Sequence, residues 1–237
     1  MKLSLLIVSV LIDTVVFAQN GNIIMSRWHN SDKVEMSDYQ SVRKTGLYFY
    51  ISNDNDNIYI DLKFDKPEDQ RMILNEGLVL WINMDGKPVK IQGIRYPTGS
   101  QKPGMRSGAI NSKDKANGNG DPEYLISMAN SIEIIGFISE QERRFPSQNA
   151  DNFRGSLRYD NGILFYRLIM PVAKLPVRNS KEGNGAMPFT LGIEYGFPVD
   201  LNKPDEKGDI RRNPRVQQAA AGSEIQWIKN IKLATSK

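Results

Sequence analysis

Residues 46–97 constrain this chain more than any other stretch, because apolar side chains recur there at every second position. In 58–64, Ile58, Ile60, Leu62 and Phe64 alternate with Tyr59, Asp61 and Lys63. Successive side chains of a strand point to opposite faces, so one face of this segment is written for a core. Residues 46–51 (GLYFYI) form the strand before it. Between them, Asn53-Asp54-Asn55-Asp56-Asn57 is a cluster of residues that bond their own backbone and tolerate left-handed geometry. The two strands are predicted to pair as a hairpin. Residues 67–75 are the one helical segment: Pro67 suits a first helical position, Glu68 and Asp69 suit the positive end, and Gly77 suits a stop. In 77–83, Leu78, Leu80 and Ile82 face one way and Val79 and Trp81 the other. Both sets are apolar, which predicts a central strand buried on both sides. Asp85-Gly86 marks a second hairpin, with 89–96 returning and Pro97 ending it.

Further strands are predicted at 130–138, 155–159, 163–170, 189–197 and 224–234. Asp160-Asn161-Gly162 invites a type I′ turn. Gly192 and Gly196 predict a bulge or a close approach on one side of their strand. In the last strand, Ile225 and Trp227 are set in alternation with Ile231 and Leu233. Residues 20–44 read as a polar entry segment with one short edge strand, and 139–152 as a polar connection. Residues 98–123 and 198–223 are long loops with few apolar anchors, the first a mobile insertion. The sum is an all-β fold: an antiparallel two-sheet β-sandwich, immunoglobulin-like or jelly-roll-like, with one short helix and long loops. Residues 20–237 suffice for a single domain of this kind.

Residues 1–19 read as a signal peptide. Lys2 gives the positive start, 3–11 the apolar run, and Val16 and Ala18 the small residues before a cut after Ala18. The expected location is periplasmic or secreted. There is no cysteine, which excludes a disulfide framework and a cysteine-linked lipid anchor. No second long apolar run predicts a membrane span. The formal charge is +4, but Lys and Arg are scattered, so no nucleic-acid-binding stripe is expected.

The residues that could carry chemistry are few. His29 is the only histidine, so a zinc cluster is excluded, and His29 reads as a surface side chain. No G-x-S-x-G elbow is present. Asp61, Asp85, Glu133 and Glu194 lie in or beside strands, read as solvent-facing residues or turn caps, and nothing in their spacing pairs them. The chain is therefore not expected to be an enzyme. Asp54 and Asp56 could offer hard oxygen ligands to calcium, although the glycine and distal glutamate of an EF-hand loop are missing; Asp121 invites the same thought. Sugar-binding sandwiches present aromatic faces with a few polar partners. Trp81 and Trp227 sit inside strand patterns and are assigned to the core. That leaves Trp28 beside Arg27, and Tyr96 before the long loop, as platforms; with Arg95 they form the ligand-binding candidates.

The order NIYIDLKF, short helix, GLVLWINMDGK, GIRYP resembles family 9 carbohydrate-binding modules and the related DOMON-like sandwiches, as in exported proteins of Bacteroidetes type. Asn57-Ile58-Tyr59-Ile60 matches the start of one signature strand, 78–86 the next strand with its turn, and 227–233 the closing strand. The resemblance implies a two-sheet sandwich, a non-catalytic role and glycan binding through an aromatic clamp with bound calcium. Asn75-Glu76-Gly77 departs from the acidic residue usual before the wide strand, and the clamp has no residue-by-residue match. The reading is an exported, non-catalytic binding protein for a glycan or cell-envelope polymer. The alternative is a structural or interaction protein of the periplasm with no small-molecule ligand.

Overall fold

A computed structural model describes residues 23–31, 33–42, 45–99, 121–137, 143–150, 152–175, 188–196 and 225–235. The expected signal peptide, most of the loop 98–123 and all of 198–223 lie outside them. In chain order the elements are β1 (Ile24–Met25), β2 (Arg27–Trp28), β3 (Gln40–Ser41), β4 (Leu47–Asn53), β5 (Asn57–Phe64), α1 (Pro67–Glu76), β6 (Leu78–Asn83), β7 (Gln92–Arg95), α2 (Pro122–Met128), β8 (Ser131–Ile135), β9 (Arg143–Pro146), β10 (Gln148–Ala150), β11 (Phe153–Asp160), β12 (Ile163–Pro171), β13 (Phe189–Tyr195) and β14 (Gln226–Lys232).

The strands form two sheets. Sheet A runs β1-β14-β13-β6-β7-β8-β9, and sheet B runs β10-β11-β12-β5-β4-β2, with β3 also on the edge of β4. The alternation read in 58–64 fixes the inner face of sheet B: Ile58, Ile60, Leu62 and Phe64 are all fully buried. Leu78, Leu80 and Ile82 do the same for sheet A. Burying each such side chain contributes about 1.5–3 kcal/mol, which is what holds the two sheets together. The fold is the expected β-sandwich.

The predicted hairpins β4–β5 and β11–β12 form with tight turns. The β4–β5 turn is closed by Asp54, and the β11–β12 turn has Asn161 and Gly162 at positive φ, as a type I′ turn requires. The second of the predicted turns, Asp85-Gly86, opens into a longer loop, since β7 begins only at Gln92. Helix α1 starts at Pro67 and stops at Gly77, whose φ of 95° suits a residue without Cβ and whose N–H bonds the Ile73 carbonyl. Gln70 is buried and ties α1 down, its Nε2 donating to the carbonyls of Phe64 and Gly162.

Four expectations are corrected. A second helix, α2, follows the long loop; Asp121 caps it by accepting from the Glu123 N–H, a role for Asp121 that the sequence did not separate from loop chemistry. Strands β9 and β10 occupy part of the polar connection 139–152. The pairing is not purely antiparallel, because β1 runs parallel to β14 and β2 parallel to β4. The entry segment therefore carries three short strands and joins both sheets rather than one. It crosses between sheets at buried Ser26, whose Oγ donates to Asn53 Oδ1 and accepts from the Ala234 N–H. Asn53 completes the junction by accepting from the same Ala234 N–H and donating to the Ala234 carbonyl.

Candidate functional site

The outer face of sheet A carries the arrangement that best suits a ligand. Strand register places Trp227, Gly192, Trp81, Gly93 and Ile135 in one row across β14, β13, β6, β7 and β8. Each tryptophan leans over the glycine of the next strand. A Cβ on Gly192 would stand 2.7 Å from Cζ3 of Trp227, and one on Gly93 would stand 2.8 Å from Cε3 of Trp81. Both indoles thus lie flat on bare backbone, and both are half-buried. Trp81 and Trp227 belong to strands two apart, so their Cα atoms are about 10 Å from each other.

A polar row runs beside the aromatic one: Glu194, Val79, Arg95 and Glu133 on β13, β6, β7 and β8. Glu194 is buried and accepts from Trp81 Nε1 at 2.6 Å and from Lys90 Nζ at 2.7 Å. Lys90 comes from the β6–β7 loop and reaches the Glu194 carboxylate at the pyrrole edge of Trp81, its ammonium 5.9 Å from the ring centroid. Arg95 pairs with Glu133 at 3.5 Å and donates to the Glu76 carbonyl. The carboxylate that orients Trp81 is therefore charge-balanced, and the indole is held at both its pyrrole and benzo ends. A groove of about 610 Å³ opens at the sandwich edge beside this face; Trp227, Ile228, Phe49 and Met25 are among its lining residues.

The sequence-derived candidates are dispersed. Arg95 does lie on the platform face. Trp28 is half-buried on the edge of sheet B, so it belongs to the other sheet. Tyr96 is only 3% exposed and packs against Tyr166 and the bare backbone of Gly155. A stacking platform needs a free ring face, so Tyr96 is a core residue and not a platform. The assignment of Trp81 and Trp227 to the core is corrected in the opposite sense. Trp81 was readable as opposite to Leu78, Leu80 and Ile82, but its own apolarity suggested a second covering layer. Trp227 was set on the side of Ile231. In the structure Asn230 has a φ of 59° and the β13–β14 register shifts there, so Ile228 and Ile231 both face inward and Trp227 faces out. The predicted close approach at Gly192 is real, and its partner is Trp227. Lys90 and Glu194 as a pair had no signal in spacing, lying 104 residues apart.

Other assignments change as well. Asp61 is buried against Arg167 at 2.6 Å, not solvent-facing. His29 is half-buried and stacks on Tyr59 with ring centroids 3.6 Å apart, so it is not an ordinary surface side chain. Asp54 uses both oxygens within its own turn: Oδ1 accepts from the N–H groups of Asp56 and Asn57, and Oδ2 from the Tyr59 hydroxyl. Burial works against its charged form, but these hydrogen bonds and nearby His29 outweigh it and hold the carboxyl below its ordinary value. Calcium takes six to eight oxygens, and a cation here would have to displace those donors. Among the described residues, no group of three or more acidic or histidine side chains converges on a point that could hold a metal. No helix among them is long and apolar enough to cross a membrane.

No protein-family model matches the chain, and no curated protein matches it. Among solved structures it is similar to a family 9 carbohydrate-binding module from Caldicellulosiruptor kristjanssonii determined in complex with glucose. That likeness has a TM-score of 0.36 and 8% identity, covering 91% of this chain and 98% of the other. At this level it says nothing about what the present chain binds.

Proposed function

We propose that this is an exported, non-catalytic glycan-binding protein whose sugar-facing surface is the outer face of sheet A. The observation that carries the reading is the pair of indoles seated flat over Gly93 and Gly192 in one cross-strand row. A pyranose presents C–H groups on its faces and hydroxyls on its rim. Trp81 and Trp227 supply flat apolar area, and Lys90 and Arg95 stand beside them with N–H donors for the rim. Export rests on the lysine, apolar run and small residues of 1–19.

The carboxylates support the non-catalytic part. Glu133 and Glu194 share the face but lie three strands apart, about 14 Å between Cα atoms, with Arg95 in the row between them. Glycoside hydrolysis needs two carboxyl groups roughly 5–10 Å apart around an open cleft. Here each carboxylate is committed to a cation.

The test is tryptophan fluorescence quenching against soluble glucan, xylan, mannan and peptidoglycan oligosaccharides. At least one is expected to quench, and Trp81→Ala or Trp227→Ala should weaken that binding about tenfold or more, as loss of an anchor aromatic does. If none of the panel quenches the parent protein, the structural or interaction role stands instead.

A further inference from the structure

The outer face of sheet B, on the opposite side of the sandwich, has a different chemistry. One cross-strand row reads Tyr48, Lys63, Phe165, Arg158 across β4, β5, β12 and β11. Aromatic and cation alternate, and they touch: Lys63 Nζ lies 4.0 Å from the Tyr48 centroid, and Arg158 Cζ lies 4.1 Å from that of Phe165. In the next row Arg27 lies over Tyr50, and Asp61 pairs with Arg167. Each ion pair on this face leaves the cation more exposed than its acid. The side-chain exposures are 59% for Arg27 against 25% for Asp38, 60% for Arg158 against 50% for Asp160, and 20% for Arg167 against 6% for Asp61. Lys63 and Arg154 add positive charge with no ion pair among the described residues; Asp65 stands at the rim, by the Tyr48 hydroxyl.

We propose that this face binds an anionic polysaccharide, one carrying carboxylates at intervals along its chain. The rings beneath Lys63 and Arg158 hold these long side chains in place, so less rotamer entropy is lost when they meet an anion. Lys63 and Arg158 sit on strands two apart, about 10 Å between Cα atoms, which suits spaced charges. A dense polyphosphate would also meet Asp160 and Asp38. A bilayer would need bare apolar side chains projecting outward, and the rings here are capped by cations. The surface is independent of the tryptophan platform and takes a different part of the ligand's chemistry, its charge.

The experiment uses the whole chain and sodium polygalacturonate, with its methyl-esterified form as the uncharged control. Binding is followed by affinity electrophoresis and calorimetry at two salt concentrations. The acid form should bind and the ester should not, and binding should weaken as salt rises. Lys63→Gln/Arg158→Gln should lose about a hundredfold in affinity, the worth of two charge-assisted contacts of about tenfold each, while Trp81→Ala should leave this binding unchanged. Should the double variant lose its sheet signature by circular dichroism, Arg154→Gln on the exposed side of β11 replaces it, with a several-fold loss expected. No binding of the acid form, equal binding of the ester, unchanged affinity in the folded variant, or tighter binding to phosphatidylglycerol vesicles or oligothymidylate would each overturn the proposal.

Discussion

The benzo ring of Trp227 rests on the backbone of Gly192, closer than any residue with a Cβ would allow. Trp81 has the same relation to Gly93 one strand pair further on. The flatness of the platform is therefore a property of the glycines as much as of the tryptophans. Gly192→Ala and Gly93→Ala should each lift an indole off the sheet. The expected cost is about 1–3 kcal/mol, the usual range for overpacking. Urea denaturation would measure it, and acrylamide quenching of tryptophan should rise in the same variants. Unaltered quenching in both would refute the seating.

Asp61 and Arg167 form a tight pair on the other sheet, with little of either exposed. Removing one partner leaves a buried charge poorly compensated. Arg167→Met should cost about 3–5 kcal/mol, and Asp61→Leu/Arg167→Met should recover most of it. A double variant no more stable than the single one would show that the pair itself is not what matters.

Asn53 joins the entry segment to the residues that follow β14. It accepts from Ser26 and from the Ala234 N–H, and it donates to the Ala234 carbonyl. Asn53→Ala should therefore strand buried polar groups on two other segments, at about 1–3 kcal/mol. Hydrogen exchange should quicken at both β1 and the end of β14, since both depend on the same side chain. Faster exchange at one end alone would argue against a shared junction.

Alkaline pH tests a different part of the structure. Burial pushes the hydroxyls of Tyr39, Tyr59 and Tyr96 up to about 12, helped by Asp61 for Tyr39 and by the Asp54 hydrogen bond for Tyr59; burial also pushes fully buried Tyr166 well above the ordinary tyrosine value. A raised folded-state value means the neutral form is favoured by folding. This stabilisation is fully present below the ordinary value near 10 and is lost as pH rises through about 12. Ultraviolet titration should show these tyrosines ionising late and together with unfolding. Ionisation of all nine tyrosines near 10 in folded protein would contradict the burial.

Much of this was legible in the chain. The period of two in 58–64, the Asn161-Gly162 turn and the ends of α1 at Pro67 and Gly77 are local signals, and local backbone chemistry decides them. Helix α2 escaped notice because it is one short piece beside a polar loop. The parallel strands β1 and β2 are two residues each, too short to leave a pattern, and they exist because Ser26 and Asn53 meet across the sandwich.

The platform shows where local reading ends. The sequence alone determined that Trp81 opposes Leu78, Leu80 and Ile82, and that Gly192 marks a close approach. It could not say which apolar face of β6 meets the other sheet and which meets solvent, because that depends on what the rest of the chain covers. Nor could it place Trp227: one residue at positive φ, Asn230, shifts the register and turns the whole strand segment before it to the opposite face. A side-chain period of two makes facing depend on parity, and parity here is set by the shifted pairing of β14 with β13, which the apolar pattern of the strand does not show.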